Sequence, residues 1–239
     1  MSNIAIIIAA GRGERTLQDI PKQFINVYDK PIIIYTLENF QKHPDIDGIV
    51  VSCLDGWHDI LRAYAKQYNI TKLMDIVTGG STVHESYRNA LNVLDGKAKD
   101  DDIVVLHDGI RPMINEAVLS DVIVTCRKYG NGVSSLPYNE QIFIKKDEIS
   151  TVKYINRETL RRVQTPQAYY FGKLRKAYEK AFSEKIGIYG PSYTNNMMVD
   201  LGETLYFASG SERNIKITTT EDIEIFKALL GTKRDSWLK

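Results

Sequence analysis

Residues 4–9 form an apolar run, IAIIIA, that lacks the polar alternation of a strand with one face in water. A strand that is apolar on both faces is typical of the interior of a parallel sheet, where helices cover both sides. The run leads directly into a loop that contains Gly11 and Gly13. The chain is therefore predicted to contain a central, buried strand that ends in a glycine-rich turn.

The alternation of short apolar runs and helical patterns continues along the chain. Strands are predicted at residues 48–54, 75–78, 102–107 and 132–137, and helices at residues 32–41, 57–68, 83–94 and 116–129. This order predicts an α/β fold with a doubly wound, mostly parallel, Rossmann-like sheet. Ligands of such sheets bind beyond the carboxyl ends of the strands, where residues 11–15, 79–81 and 107–112 are expected to lie.

The pattern changes after Pro137. Residues 142–145 and 149–154 are predicted to form a polar, exposed hairpin, which two short strands cannot stabilise alone, so we expect it to pack on something else, such as a partner subunit. A helix at 172–182, strands at 204–208 and 214–217 and a capped helix at 220–230 complete the prediction. The 239 residues show no clear linker, which favours one domain, 1–239, with a protruding arm at about 138–163.

Composition argues against several classes of protein. The formal net charge is +1, so a nucleic-acid binder that depends on bulk positive charge is not expected. No apolar stretch reaches the roughly 18 residues of a membrane span. A secretory signal is not expected, since residues 1–3 are uncharged and the apolar run after them ends in a glycine loop. Cys53 and Cys126 lie in apolar surroundings and are expected to be buried thiols. We expect a cytoplasmic protein with neither nucleic acid nor membrane as a partner.

The glycine loop does not match the common nucleotide-binding motifs. The third glycine of the dinucleotide fingerprint is replaced by Thr16, and the first acidic residue at a strand end, Asp55, lies too far along the chain. No Gly-Lys-Ser/Thr follows at the spacing of a P-loop. Zinc motifs and the nucleophile elbow of hydrolases are also missing from the sequence.

The loop does keep the features of a phosphate site. Gly11 and Gly13 let the backbone approach an anion closely and direct N–H groups toward it. Arg15 offers a planar fork and Lys22 a point charge to the same anion. A solvated basic loop is the alternative interpretation. The position of the loop at a strand end favours phosphate binding.

Six motifs then occur in order: AAGRGER, PKQF, GGSTVHES, HDGIRP, TPQ and NIKITTTED. In this order, over about residues 4–230, the chain resembles the cytidylyltransferases that make CDP-alcohols, the group of 2-C-methyl-D-erythritol 4-phosphate and ribitol-5-phosphate cytidylyltransferases. The resemblance implies one nucleotidyltransferase domain. CTP and a small phosphorylated alcohol would give a CDP-alcohol and pyrophosphate, with Mg²⁺ bridging the triphosphate. It also implies that the arm forms a homodimer and that TPQ, residues 165–167, is a turn.

The resemblance assigns roles to individual residues. The catalytic residues would be Arg15, Lys22 and Lys216. The nucleotide-binding residues would be Ala9, Ala10, Gly11, Arg12, Gly13, Gly79, Gly80, Ser81 and Ser86. The acceptor-binding residues would be Asp108, Arg157, Gln141, Thr194 and Asn195, with Asp108 also the candidate metal ligand and Arg157 sent from a neighbouring subunit. The alternatives are an ordinary strand-end lysine at 216, a turn-capping aspartate at 108 and a surface ion pair at Arg157.

Three positions depart from the family pattern. Val83 replaces an arginine, Gln141 falls where a threonine contacts the acceptor phosphate, and Asn195 replaces an aspartate. Valine cannot donate a hydrogen bond, and asparagine keeps hydrogen-bonding ability but lacks charge. The hypothesis is a polyol-type acceptor, such as ribitol 5-phosphate for a cell-surface polymer. The alternatives are a methylerythritol phosphate enzyme, a nucleotidyltransferase for another base and a non-catalytic nucleotide-binding relative.

Replacing Arg15 or Lys22 with alanine is expected to lower turnover by about 100-fold or more, because charge on the reacting phosphates would be left unbalanced. Turnover is measured as pyrophosphate release, and an unchanged circular dichroism spectrum shows that the fold is intact. Near-normal turnover of Lys22→Ala would mean that this loop is not the phosphate site.

Overall fold

The computed structural model describes residues 1–11, 20–190 and 192–232. The elements follow one another as β1 Asn3–Ala9, β2 Asn26–Val27, β3 Lys30–Pro31, α1 Ile32–Lys42, β4 Gly48–Cys53, α2 His58–Gln67, β5 Leu73–Thr78, α3 Val83–Asn92, β6 Ile103–Asp108, α4 Glu116–Tyr129, β7 Asn131–Pro137, β8 Ile142–Lys145, β9 Thr151–Ile155, β10 Arg161–Tyr170, α5 Phe171–Glu184, α6 Thr194–Asp200, β11 Phe207–Ser209 and α7 Thr220–Gly231. Each predicted helix is present, with its ends shifted by a few residues.

Seven strands form the central sheet in the order β11–β7–β10–β6–β1–β4–β5. β1 pairs in parallel with β4 and β6, β4 pairs in parallel with β5, and β7 pairs in parallel with β11. Only β10 runs against its neighbours β6 and β7. The predicted mostly parallel α/β sheet, with β1 in its interior, is confirmed.

Alternate residues of β1 enter two different cores. Ala5, Ile7 and Ala9 pack in a cluster with side chains of α1, α2 and α4. Ile4 and Ile6 pack in a second cluster with side chains of α3, α5 and α6. Helices therefore cover both faces of the sheet, which is the doubly wound arrangement, and each fully buried isoleucine contributes on the order of 2–3 kcal/mol to it.

The prediction of a turn at TPQ is wrong. Thr165, Pro166 and Gln167 lie inside β10, a strand that the sequence pattern did not reveal because its polar residues interrupt the apolar alternation. The pairing of β10 with β7 shifts register between Val163 and Gln167. A proline is tolerated at such an irregularity, since it has no N–H to donate to the ladder.

Two further predictions need correction in the last quarter of the chain. Residues 214–217 do not form a strand, because they bond to the turn after β6 and not to a strand ladder. The strand expected at 204–208 lies at Phe207–Ser209. Helix α6 was not predicted, since its seven residues are too few to show a helical period, and its buried Met197 and Met198 hold it on the second core.

The predicted hairpin is present as β8 and β9, which pair only with each other in the part of the chain that the structure describes. Its apolar side chains face outward: Ile149 is 97% exposed, Val152 76% and Tyr154 70%. Cys53 and Cys126 are free and buried, as expected, and burial raises the pKa of each thiol to about 12. None of the described helices has the length and hydropathy that crossing a bilayer demands.

Candidate active site

The carboxyl ends of β1, β5 and β6 bring the predicted loops to one edge of the sheet. Ile8 lies beside Asp108 in the β1–β6 register, and Gly109 N–H donates to the Ile8 carbonyl over 2.8 Å. Gly79 approaches Ala10 so closely that a Cβ at Gly79 would lie 2.1 Å from that of Ala10. The segments expected to bind nucleotide and acceptor therefore meet at this edge.

Gln23 holds the end of β1 in place. This side chain is 2% exposed, and its Nε2 donates to the carbonyls of Ala9, over 2.8 Å, and Gly11, over 3.1 Å. Lys22 begins the short 3-10 helix, Lys22–Phe24, that contains Gln23. Arg12, Gly13 and Arg15 lie outside the described residues. Gln23 was not predicted as a site residue, although it lies in the PKQF motif.

The loop after β5 is tied to the first turn of α3. Gly80 N–H donates to Ser86 Oγ over 3.1 Å, and the Ser86 hydroxyl donates to the Thr82 carbonyl over 2.9 Å. Ser81 N–H donates to Glu85 Oε2 over 2.7 Å, and the Ser81 hydroxyl bonds the same atom. The bond from the Ser81 hydroxyl, and to a smaller extent the bond from its N–H, lower the pKa of Glu85. Ser86 thus shapes the loop, and Glu85 is a support that the sequence did not reveal.

Val83, one of the three departures from the family pattern, has a structural role. It is the first residue of α3 and packs against the second core cluster. An apolar side chain in that place contributes burial, and it offers no donor to a nucleotide.

A cavity of about 160 Å³ opens beside Asp108 at the end of β6. It is lined by Asp108, Arg111, Val163, Gln164, Thr165, Gln167, Tyr193, Asn195 and Lys216. Two cations meet on one oxygen there, since Arg111 Nε lies 3.0 Å and Lys216 Nζ 3.2 Å from Asp108 Oδ2. Lys216 Nζ also lies 5.3 Å from the centre of the Tyr193 ring.

The charge of Asp108 is stabilised by these neighbours. Burial by itself would raise the pKa of the carboxyl, but Lys216, Arg111 and His107 outweigh it and lower the pKa of Asp108 to about 2. The pKa of the neighbouring His107 is also lowered, to about 4, but there burial is the cause because it disfavours the charged imidazolium. At neutral pH the cavity therefore holds an ionised carboxylate with two cations beside a neutral histidine.

The structure separates the acceptor residues expected from the sequence. Asp108, Asn195 and Lys216 line the cavity. Thr194 does not, because its buried hydroxyl lies 2.7 Å from that of Tyr178, so it supports α6 from the core side. Gln141 is exposed at the start of the arm and does not line the cavity either.

Arg157 does not line the cavity of its own chain either. It is exposed, and its Nη1 donates to the Asn139 carbonyl over 2.8 Å at the base of the arm. Conversely, the structure adds Arg111 and Tyr193, which the sequence analysis passed over. Arg111 lies in the HDGIRP motif and could have been predicted from it, whereas no motif contains Tyr193.

The donor set near Asp108 bears on the expected Mg²⁺. No group of three potential metal ligands was found among the residues that the structure describes. Asp108 is the one carboxylate among the described residues that line the cavity. Mg²⁺ is commonly held by one or two carboxylates together with substrate phosphates. The site fits an ion that shares Asp108 with a triphosphate, and it does not form a cage of protein ligands.

Residues 3–232 match the family model described as "IspD: 2-C-methyl-D-erythritol 4-phosphate cytidylyltransferase". A ribitol-5-phosphate cytidylyltransferase of Lacticaseibacillus paracasei is 57% identical over 96% of this chain and 98% of its own length. One from Vibrio parahaemolyticus is 34% identical over 98% of both chains. A 2-C-methyl-D-erythritol 4-phosphate cytidylyltransferase of Clostridium tetani is 39% identical over 92% of this chain and 87% of its own.

Solved structures of the same group share the fold. The 4-diphosphocytidyl-2C-methyl-D-erythritol synthase of Anaerococcus prevotii superimposes with a TM-score of 0.82 at 25% identity, over 97% of this chain and 96% of its own. The 2-C-methyl-D-erythritol 4-phosphate cytidylyltransferase of Francisella tularensis gives a TM-score of 0.75 at 28% identity, over 95% of this chain and 99% of its own.

The contact between Gly79 and Ala10 predicts the effect of one added methyl group. Gly79→Ala is expected to raise the KM for CTP about tenfold or more, because the two loops must separate. The double variant Ala10→Gly/Gly79→Ala removes the clashing atom and is expected to recover most of the loss. Gly231→Ala, where a Cβ would meet nothing within 4 Å, is the control. A normal KM for Gly79→Ala would show that this contact does not shape the nucleotide site.

The low pKa of Asp108 predicts how stability depends on pH. Since the folded pKa of about 2 lies below the ordinary aspartate value of 3.8, which applies to the unfolded chain, the stabilisation is complete above about pH 4 and is lost as the pH falls toward 2. Between pH 6 and pH 3 the wild type is expected to lose about 1 kcal/mol more unfolding free energy than Asp108→Asn. Urea unfolding at each pH measures this. Parallel losses in the two proteins would contradict the paired carboxylate.

Proposed function

The chain belongs to the IspD family of cytidylyltransferases, and from that premise we propose that it transfers CMP from CTP to ribitol 5-phosphate or a closely similar polyol phosphate. The observation that carries the proposal is the cavity in which Arg111 and Lys216 meet on Asp108 amid neutral amide side chains. The 57% identical relative, which bears the name of ribitol-5-phosphate cytidylyltransferase, supports the same acceptor.

The chemistry requires positioning and charge neutralisation. An oxygen of the acceptor phosphate attacks the α-phosphorus of CTP in line, a new P–O bond forms, and pyrophosphate leaves with the electrons of the broken bond. The attacking phosphate is already an anion, so no covalent enzyme intermediate and no general base are needed. Preorganised cations stabilise the charge that develops on the five-coordinate phosphorus.

Lys216 is the cation we assign to the acceptor phosphate. Its side chain is only 29% exposed and its ammonium lies beside Asp108, so it needs little reorganisation to reach an incoming anion. Arg111 keeps a second contact on the same carboxylate and would hold Asp108 in place when a phosphate attracts Lys216. On the donor side we assign Arg15 and Lys22 to the triphosphate and residues 9–13 and 79–81 to base, ribose and phosphates.

The neutral amide side chains in the lining of the cavity suit a polyol. Gln164, Gln167 and Asn195 each carry a carbonyl oxygen and an NH₂ group, so they can accept from and donate to hydroxyl groups. Asn195 adds no negative charge to a cavity that must admit a phosphate. A site built to hydrogen-bond hydroxyls disfavours an analogue in which a methyl group takes the place of one.

Mg²⁺, a partner subunit and a cellular location complete the proposal. Asp108, together with the phosphates of CTP, would hold Mg²⁺, which would supply charge neutralisation when bound. The arm, with exposed Ile149, Val152 and Tyr154, would form a homodimer and carry Arg157 to the partner's acceptor phosphate. We place the enzyme in the cytoplasm, where it would supply a CDP-polyol for a cell-surface polysaccharide.

A second acceptor deserves a test because the matching family model and the Clostridium tetani relative carry the name of 2-C-methyl-D-erythritol 4-phosphate cytidylyltransferase. The test measures pyrophosphate release with CTP and each of the two phosphates. Ribitol 5-phosphate is expected to have a kcat/KM at least about 100-fold higher, since an unpaired polar site penalises the wrong acceptor. A preference for methylerythritol phosphate would overturn the acceptor proposal.

The same assay tests the nucleotide. Pyrophosphate release with UTP, ATP or GTP in place of CTP would overturn the assignment of CTP as the donor. CTP binding without any pyrophosphate release would indicate a non-catalytic relative.

Asn195 offers a sharper test of the acceptor side. Asn195→Asp is expected to lower kcat/KM for ribitol 5-phosphate about tenfold, because it adds a negative charge beside the acceptor anion. The matched control is Asn196→Asp, which adds the same charge one residue away and keeps the oxygen that accepts from Tyr193 N–H in the first turn of α6. Equal effects of the two variants would show that Asn195 has no special place at the acceptor.

A further inference from the structure

Four residues at the base of the Asp108 cavity form a closed ring of polar contacts. Asp108 N–H donates to Thr165 Oγ1 over 3.2 Å, and the Thr165 carbonyl accepts from Asn214 Nδ2 over 2.7 Å. The Asn214 carbonyl accepts from Arg111 Nη1 over 2.8 Å, and Arg111 Nε closes the ring on Asp108 Oδ2 over 3.0 Å. The ring joins β6, β10 and the segment that carries Lys216.

Asn214 is the member of the ring that has no contact with the reacting groups proposed above. It is 0% exposed, and it is absent from the described lining of the cavity. Its side chain donates to Thr165 of β10 and its carbonyl accepts from Arg111. Asn214 alone therefore ties the segment that carries Lys216 to both of these residues. Burying an amide in this way is costly, and more so here because Asn214 Oδ1 has no hydrogen-bond partner among the described residues, which argues for a specific purpose.

Lys216 lies in a segment that is anchored on both sides of it. Residues 214–217 form no strand, and therefore no ladder of backbone bonds aligns the lysine with Asp108. The segment is held at two points, Asn214 at one end and Ile217 at the other, where Ile217 N–H donates to the Ile110 carbonyl over 2.9 Å. Ile217 is also fully buried against α7. Lys216 lies between these two fixed points.

We propose that Asn214 is a positioning residue that sets the place of the Lys216 ammonium relative to Asp108. The amide acts by donating to the Thr165 carbonyl, which a carboxylate of the same shape cannot do. That Lys216 then acts on the acceptor phosphate rests on the proposed function. A misplacement of about 1 Å in such a group is enough to cost orders of magnitude in rate.

A matched control exists elsewhere in the sheet. Asn131 is also buried, donates through Nδ2 to the Thr204 carbonyl over 2.8 Å and accepts from Tyr206 N–H over 2.9 Å. It links β7 to the segment that leads into β11, and it does not line the Asp108 cavity. Asn131→Asp therefore breaks the same kind of bond in the same kind of surroundings, with no route to Lys216.

The first experiment compares Asn214→Asp with Asn131→Asp. Both are expected to lower the melting temperature by a few degrees, since each loses a buried hydrogen bond. Only Asn214→Asp is expected to lower kcat, by about tenfold or more, with the KM for CTP changed less than about threefold. Asn214→Ser, which removes the amide without adding charge, is measured in parallel and must also lower kcat. Unchanged kcat in a folded Asn214 variant would overturn the proposal.

The second experiment does not depend on the reaction. The rate at which acetic anhydride labels Lys216 is followed by mass spectrometry in the same variants, with the exposed Lys66 as the internal reference. Loss of the contact with Asp108 is expected to raise labelling of Lys216 severalfold in both Asn214 variants and not in Asn131→Asp. Equal labelling in all four proteins would overturn the positioning role. If the wild type released no pyrophosphate with any acceptor, the proposed function would fail, and the labelling result would still decide the role of Asn214.

Discussion

The contact of two cations with one buried carboxylate is the interaction on which the site depends. Asp108 is only 14% exposed, and an unpaired charge there would be costly, so Arg111 and Lys216 stabilise the ionised carboxylate and lower its pKa. In return Asp108 holds Lys216 at the end of β6. Under the proposed function this arrangement would hold a cation in place for an incoming phosphate, with the cost of desolvating it offset before any substrate binds.

The sheet makes this contact possible. β1, buried on both faces, ends beside β6, and Ala10 after it contacts Gly79 after β5, so the segments proposed to bind donor and acceptor share one edge. β10 then runs against β6 and brings Thr165 under Asp108, and the segment after β11 returns to place Lys216 over it. A reaction between two phosphorylated substrates needs this shared edge, because both must be held for an in-line attack.

The sequence predicted the parts of the fold that have a clear hydrophobic period. The buried strands, the amphipathic helices and the exposed hairpin follow from local patterns. Asp108 and Lys216 were predicted from ordered motifs and Asn195 from a departure from the family pattern, and all three line one cavity. What could not be predicted depends on distant contacts. Strand β10 is polar and interrupted by Pro166, and residues 214–217 are held by bonds to Arg111 and Ile110. Gln23 and Asn214 act through backbone carbonyls, and no spacing in the sequence indicates such bonds.

The most direct measurement is a crystal structure of the protein with ribitol 5-phosphate and a CTP analogue whose α,β-bridge cannot be cleaved. A phosphate oxygen of the acceptor is expected within about 3 Å of Lys216 Nζ, with Arg111 still in contact with Asp108 and Asn195 facing the polyol hydroxyls. An acceptor bound away from this cavity, with Lys216 and Asp108 unchanged in their contact, would contradict this expectation.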